Sequence, residues 1–140
     1  MLQTKKFAIL ALMLMVALAA AAQKIKKVPA AYTSPASGKE MYMNHCAACH
    51  GADAKGAGPA ATALKTTPTD LTTLAKKNGN KFPANHVYSS IVGDVNVPAH
   101  GTAEMPMWGN VYSAMSKGHQ AEVQQRVSNL TDYIKSLQVE

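Results

Sequence analysis

The sequence is short of cysteine, of long apolar runs and of clustered basic residues. Its 140 residues are too few for a large multi-domain enzyme, and its single long apolar run excludes a multi-span membrane protein. The two cysteines leave no second pair to complete a four-ligand zinc site. The formal net charge is +6, but Lys and Arg form no dense runs with interleaved aromatics, which argues against nucleic-acid binding.

Large apolar side chains are also scarce once the N-terminal run is set aside. Beyond residue 22, about 41% of the residues are apolar, and many of these are alanine. Small domains already have difficulty burying enough apolar surface to be stable. We therefore expect something other than side chains to fill part of the core.

The N-terminal end has a composition of its own. Lys5 and Lys6 precede sixteen apolar residues, from Phe7 to Ala22. A basic start, an apolar centre and small residues at the end are typical of a signal peptide, so residues 1–22 are predicted to be one. The run is shorter than the about 20 residues of a membrane span, but a retained single-pass anchor stays open as the alternative. Either form exports the chain to an oxidising compartment.

The rest of the chain is predicted to be a mobile linker, residues 23–36, followed by one all-α domain, residues 37–139. Ser37 and Glu40 have the spacing of a capping box and begin the first helix. Further helices are predicted from Asp70 to Lys77, from Pro83 until Gly93, and from Pro106, placed at a first helical position. The last of about five helices has apolar residues at spacings of four and three, namely Val123, Val127, Leu130, Ile134 and Leu137.

The chemistry is concentrated in the segment Cys46-Ala47-Ala48-Cys49-His50. Two thiols three positions apart on a helix lie on one face, which suits two thioether bonds to one porphyrin. The imidazole of His50 is then placed to reach the iron. A thioredoxin-like disulfide, a structural disulfide and a copper site with nearby methionines are the other interpretations of the cysteine pair.

A haem iron has a second axial position, and the sequence offers three candidates for it. Met105 is favoured because the fixed φ of Pro106 makes its approach stiff, and a thioether ligand raises the reduction potential. Met107 and His100 are the rivals. The remaining histidines, His45, His86 and His119, are predicted to be solvated at the surface.

At these residues the chain resembles the class I c-type cytochromes, over about residues 36–138. Gly38 and Tyr42 match the helix before the cysteine pair in that family. Cys46, Cys49 and His50 match its attachment motif, Met105-Pro106 matches its distal methionine, and its C-terminal helix is matched by Leu130, Tyr133, Ile134 and Leu137.

The resemblance implies a cytochrome c fold, one covalently attached haem c, and iron held by His50 and Met105. It also implies that the first and last helices cross with Gly38 against Tyr133. In the family a proline carbonyl after the motif holds the proximal imidazole, and Pro59 is the matching residue here.

The function implied is that of a periplasmic carrier of single electrons and not of an enzyme. A haem subunit fixed to a dehydrogenase or oxidase, and a haem sensor or peroxidase-like protein with a labile distal site, are the alternatives. The partners expected are redox proteins with acidic surfaces, with no nucleic acid and with a membrane only if the N-terminal segment is retained. Lys76, Lys77 and Lys81 either guide such docking or form a solvated turn. A monomer is expected, because no apolar stripe remains after the core and haem are covered.

Overall fold

The computed structural model describes residues 29–93 and 105–139. The predicted signal peptide, residues 1–22, and the candidate ligand His100 lie outside these ranges. Within them the chain is helical and has no strand, which confirms the all-α prediction. None of the described helices is long and apolar enough to cross a membrane.

Six α-helical elements follow one another along the described chain: α1 (Gly38–Met41), α2 (Ala47–His50), α3 (Leu74–Lys77), α4 (Ala84–Val92), α5 (Trp108–Met115) and α6 (Gln120–Ser136). A π-helical turn, Tyr42–Cys46, joins α1 to α2. The 3-10 turn Leu71–Thr73 runs into α3, and a separate 3-10 turn covers Ala61–Ala63. With these junctions counted as continuous, the described residues hold five helical stretches besides the separate turn.

The first helix begins at Ser37, but only half of the predicted capping box forms. Ser37 Oγ accepts a hydrogen bond from the backbone N–H of Glu40 at 3.2 Å. The carboxylate of Glu40 accepts from the N–H of Ser34, at 3.3 Å, and not from that of Ser37. The reason is a turn in which the N–H of Ser37 already donates to the carbonyl of Ser34 at 3.2 Å.

Helices α1 and α6 cross with their backbones in close contact at Gly38. A Cβ atom there would overlap the backbone carbonyl oxygen of Asn129 and lie 2.7 Å from the Cβ of Tyr133. Further along the chain, the rings of Tyr42 and Tyr133 pack with their centroids 5.5 Å apart. The expected contact of Gly38 with Tyr133 is confirmed, and the absence of a side chain is what permits it.

The bounds of α4 and α5 agree with those predicted from the sequence, except at the start of α5. Pro83 precedes α4, and Gly93 ends it in the left-handed conformation, with a φ of 87°. Helix α5 begins at Trp108, so the prediction that Pro106 occupies its first position is wrong by two residues. The backbone of Met107 is extended, with a ψ of 92°, and this keeps Pro106 outside the helix.

Helix α6 contributes the largest share of the core. Four of the five apolar residues predicted from the spacing are buried in it, namely Val123, Val127, Leu130 and Ile134. The fifth, Leu137, follows the last residue of the helix and is half-buried. The four form one apolar cluster with buried residues from the other helices, among them Met41, Tyr42, Val87, Ile91 and Tyr112.

Residues 31–35, which we call the N-terminal arm, pack against the domain, so the prediction of a mobile linker is wrong for this part. Arg126, the only arginine in the chain, is fully buried in α6. Its Nη1 donates to the carbonyl oxygen of Thr33 at 2.6 Å. The side-chain amide of Asn129 donates to the carbonyl of Pro35 at 2.8 Å. A buried guanidinium needs acceptors for its N–H groups, and Thr33 of the arm supplies two of them, its carbonyl oxygen and its hydroxyl.

The charge of Arg126 is balanced on the other side of the guanidinium. Its Nη2 lies 2.9 Å from a carboxylate oxygen of Glu122, and this hydrogen bond is the largest cause of the lowered pKa of Glu122. The rings of Tyr32 and Tyr112 lie 5.2 and 5.9 Å from the guanidinium carbon. The buried cation is therefore partnered by an anion, by backbone oxygen and by two aromatic faces.

The crossing at Gly38 predicts the effect of adding one methyl group. Gly38→Ala places a Cβ against the Asn129 carbonyl, which belongs to a rigid backbone, so the helices have to separate. We expect the free energy of unfolding of the holoprotein to fall by about 3 kcal/mol in denaturant titrations. Lys39→Ala, at the exposed neighbouring position, is the control and should cost less than about 0.5 kcal/mol. Equal stabilities of the two variants would contradict the close crossing.

The arm contacts predict that Arg126→Met loosens residues 31–35. The Thr33 carbonyl loses its charged donor and the variant loses about 3 kcal/mol of stability. Chymotrypsin should then cleave after Tyr32 faster than in the wild type, because the arm is released. Gln125→Met changes the exposed adjacent residue and should leave cleavage unchanged. Unaltered cleavage in Arg126→Met would show that the arm is held by other contacts.

Candidate functional site

The cysteine and histidine motif lies in one helical stretch, as its spacing predicts. Cys46 is the last residue of the π-helical turn, and Cys49 and His50 are the last two residues of α2. Both thiols are free, with Cys46 buried and Cys49 half-buried. A π turn accommodates one more residue per hydrogen-bonded turn than an α-helix, and such turns frequently occur at functional sites.

A glycine-rich loop folds back over the end of α2 and fixes it. The backbone N–H groups of its glycines reach the carbonyl oxygens of the motif at 2.8 to 3.0 Å, as Gly51 to Ala47, Gly56 to His50 and Gly58 to Cys49. A Cβ at Gly58 would overlap the carbonyls of Ala47 and Ala48, so a larger residue does not fit there. The last carbonyls of the helix, which have no partner within it, are satisfied by this loop.

The imidazole of His50 is held in one tautomer by a backbone carbonyl. Its Nδ1 lies 3.0 Å from the carbonyl oxygen of Thr69, which can only accept a hydrogen bond, so the proton is on Nδ1. Nε2 then carries the free lone pair that a metal ion binds. Burial is the main cause of the lowered pKa of His50, which keeps the ring neutral at neutral pH.

The prediction that Pro59 holds this imidazole is wrong for the hydrogen bond observed. Pro59 is exposed, and the segment that reaches His50 comes later in the chain. That segment packs closely against the glycine-rich loop. Gly56 lies so near the carbonyl of Pro68 that a Cβ atom would overlap it. The N–H of Leu71 also donates to the carbonyl of Ala54 at 2.8 Å. Pro68 and the capping Asp70 flank Thr69, and this pair was the signal available in the sequence.

The thiol environment does not favour thiol–disulfide exchange. Burial, with a smaller contribution from Cys49, raises the pKa of the Cys46 thiol to about 12. Redox-active cysteines of the thioredoxin type have a lowered pKa, because the thiolate is the attacking species. The described residues also contain no group of three or more His, Cys, Asp or Glu side chains that could hold a metal ion alone.

The two candidate methionines have different surroundings. Met107 is 51% exposed, and its side chain lies over Gly93 at the end of α4. A Cβ built on Gly93 would lie 2.7 Å from the Cβ of Met107. Met105 is half-buried. Met107 is thus engaged in packing beside α4.

One histidine is buried where the sequence predicts a solvated side chain. His45 is buried, with a relative exposure of 9%, so the prediction that it is solvated is wrong, whereas His119 is exposed as predicted. His86 is half-buried. His45 follows the buried Met41 by four positions and therefore lies on the same face of the helical stretch, which was the signal available.

The donor set fits a haem whose porphyrin would be attached covalently by the two cysteines and whose iron would be bound by His50. Two free thiols lie one turn apart, and the next residue presents a neutral imidazole whose Nδ1 is already occupied. A thioether at Met105 provides a further soft donor in the described chain.

A family model described as Cytochrome c matches residues 35–138. No curated protein and no solved structure matched the chain.

The segment that holds His50 predicts a defined pH dependence. Asp70 Oδ1 accepts from the N–H and the hydroxyl of Thr72 at 2.8 and 2.6 Å, and the hydroxyl bond is the main cause of the lowered pKa of Asp70. Because the folded pKa lies below the unfolded value of 3.8, this stabilisation is complete well above that unfolded value and is lost as the pH falls through the folded pKa.

We therefore expect Asp70→Ala to lower the free energy of unfolding by about 1 kcal/mol at pH 7. The loss should be smaller at pH 3, below the ordinary carboxyl pKa of 3.8, because there the unfolded state binds a proton that the folded state binds less readily. Urea titrations at both pH values measure it, with Asp132→Ala, at an exposed position of α6, as the control. An equal loss at both pH values would show that the Asp70 carboxylate charge does not contribute.

Proposed function

Because this chain belongs to the cytochrome c family, we propose that it is a periplasmic carrier of single electrons in which His50 and Met105 are the axial ligands. Membership of the family establishes the cytochrome c fold, a covalently bound haem c with its iron, and electron transfer in place of enzymatic turnover. The class I bacterial type expected from the sequence is consistent with it. We propose in addition the periplasmic location, the ligation of the iron by His50 and Met105, and the acidic redox partners.

The observation that carries the axial assignment is the hydrogen bond from His50 to Thr69. It fixes the tautomer in which Nε2 is free for iron. Cys46 and Cys49 would hold the porphyrin through two thioether bonds, adjacent to that imidazole. When bound, the haem supplies an iron centre that alternates between the ferric and ferrous states.

Met105 is proposed as the second ligand on two grounds. It is half-buried and is followed by Pro106, whose ring limits the backbone, so the thioether has few alternative positions. Met107 already packs over Gly93. Two permanent ligands leave no open position for oxygen or substrate, and little atomic movement then accompanies electron transfer.

The periplasmic location and the acidic partner are proposed from charge and composition. Lys5, Lys6 and the apolar run that ends at Ala22 support export. Lys76 and Lys77, in the last turn of α3, are exposed, as is Lys81 in the following turn. Exposed lysines on one short segment steer an acidic surface toward it.

The axial assignment predicts different spectra for two methionine variants. Met105→Ala should lose the weak thioether-to-iron band of the ferric protein, and its ferrous form should bind carbon monoxide. Its reduction potential should fall by on the order of 0.1 V, within the about 0.8 V that axial ligands span. Met107→Ala is the matched control and should keep the band and a closed iron site.

Two other outcomes would change the assignment of the second ligand. If Met107→Ala loses the band and Met105→Ala keeps it, the two methionines exchange roles. If the wild-type ferrous protein itself binds carbon monoxide at neutral pH, its distal position is labile. In that case a sensor or peroxidase-like function replaces the electron carrier.

A further inference from the structure

His45 lies on the helical stretch 38–50, which contains Cys46, Cys49 and His50 and which we call the haem-attachment helix. It faces α5, the helix that follows residues 105–107, which we call the methionine segment. Its ring stacks on the ring of Trp108, with centroids 4.8 Å apart and planes inclined by 18°. Trp108 is the first residue of α5, three positions after Met105. His45 directly precedes Cys46. This stacked pair therefore connects His45, next to Cys46, with Trp108, the residue directly after the methionine segment.

Hydrogen bonds hold the His45 ring in this orientation. Nε2 lies 3.0 Å from the carbonyl oxygen of Ala31, and Nδ1 lies 3.2 Å from the hydroxyl of Tyr112. The carbonyl can only accept, so Nε2 carries a proton and donates it. In the neutral ring Nδ1 then accepts from the Tyr112 hydroxyl. Both ring nitrogens are occupied within the protein, so His45 has no nitrogen left for iron.

The same cluster includes contacts from three parts of the chain. Ala31 is the first residue of the N-terminal arm, which Arg126 holds at Thr33. Tyr112 is fully buried and lies one turn after Trp108 in α5. A buried side chain with both polar atoms satisfied has one well-defined position. The ring of His45 is thus a fixed surface against which Trp108 rests.

The methionine segment is consequently attached at its C-terminal end by two adjacent residues. Met107 lies over Gly93, and Trp108 stacks on His45. Pro106 adds a fixed φ between these contacts and Met105. Since the segment has few free torsions, the position of Trp108 limits where the thioether of Met105 can lie.

We propose that His45 is a positioning residue for Met105. Its ring holds Trp108, and so the start of α5, against the haem-attachment helix. This inference rests on the proposed ligation by Met105. His45 keeps the iron–thioether bond closed without touching the iron, and its loss makes that bond easier to displace.

The test is a titration of the ferric holoprotein with imidazole, which competes with the Met105 thioether for the iron. His45→Gln keeps an amide donor for the Ala31 carbonyl but removes the ring. We expect its imidazole Kd to fall about 2- to 10-fold, the range that corresponds to loss of an aromatic pair. His45→Phe restores a ring on Trp108 and should return the Kd to within about twofold of the wild type.

A destabilised control separates positioning from stability. The side chain of Gln138 bonds the N–H of Ala75 and the carbonyls of Leu71 and Ile134, at 2.8, 2.7 and 2.9 Å, and none of these partners belongs to the stack. Gln138→Ala should lower Tm without changing the imidazole Kd. His45→Phe also leaves the Ala31 carbonyl unpaired, so it should lose Tm while keeping a nearly normal Kd.

The other half of the stack gives an independent variant. Trp108→Leu should lower the imidazole Kd as His45→Gln does. Because both act through one contact, the double variant should bind imidazole no more tightly than either single variant. If His45→Gln does not fold, the Kd of Trp108→Leu alone decides the outcome.

Two outcomes overturn the inference, and they are distinguishable. An unchanged imidazole Kd in His45→Gln and Trp108→Leu, with a loss of Tm like that of Gln138→Ala, would show that the stack is only structural. If Met105→Ala retains the thioether band, the proposed ligation itself fails and the positioning role fails with it. The second result appears in the Met105 variant, and the first appears in the stack variants.

Discussion

The close approach of α1 and α6 at Gly38 determines where the rest of the site lies. With no side chain between the backbones, the ring of Tyr42 reaches Tyr133 on one side. Its hydroxyl donates to the carbonyl of Gly51 at 2.7 Å, directly after His50. Burial raises the pKa of Tyr42, so this hydroxyl remains a donor over the physiological range. The crossing is thereby linked to the end of α2 through one side chain.

The buried polar groups of this small domain help to determine which segments pack together, as its apolar core does. Every buried side-chain nitrogen and oxygen in the described residues has a hydrogen-bond partner. Arg126 and His45 are buried, and each has a hydrogen-bond partner in the N-terminal arm, at Thr33 and at Ala31. Their requirement for acceptors, and not apolar packing, gives residues 31–35 a fixed place.

The sequence predicted features that depend on local patterns and missed those that depend on distant partners. The spacing of apolar residues located α6, and the glycine beyond α4 located its end, because both follow from neighbours along the chain. The carbonyl that meets His50 was assigned to Pro59 and belongs to Thr69, since no local rule states which part of a loop returns to a side chain. The arm was missed for a similar reason: it has no apolar period, and its partner Arg126 lies 93 residues later.

That separation also sets an order of events during folding. The chain is synthesised from its N-terminus, so the arm and α1 emerge long before α6, which contains the residues they bind. Bringing together segments 93 residues apart costs more chain entropy than forming local turns, and such contacts form late and slowly. The N-terminal third of the domain therefore remains without its main partner until the last helix is complete. Throughout that interval Cys46, which the finished domain buries, is accessible to whatever attaches its cofactor.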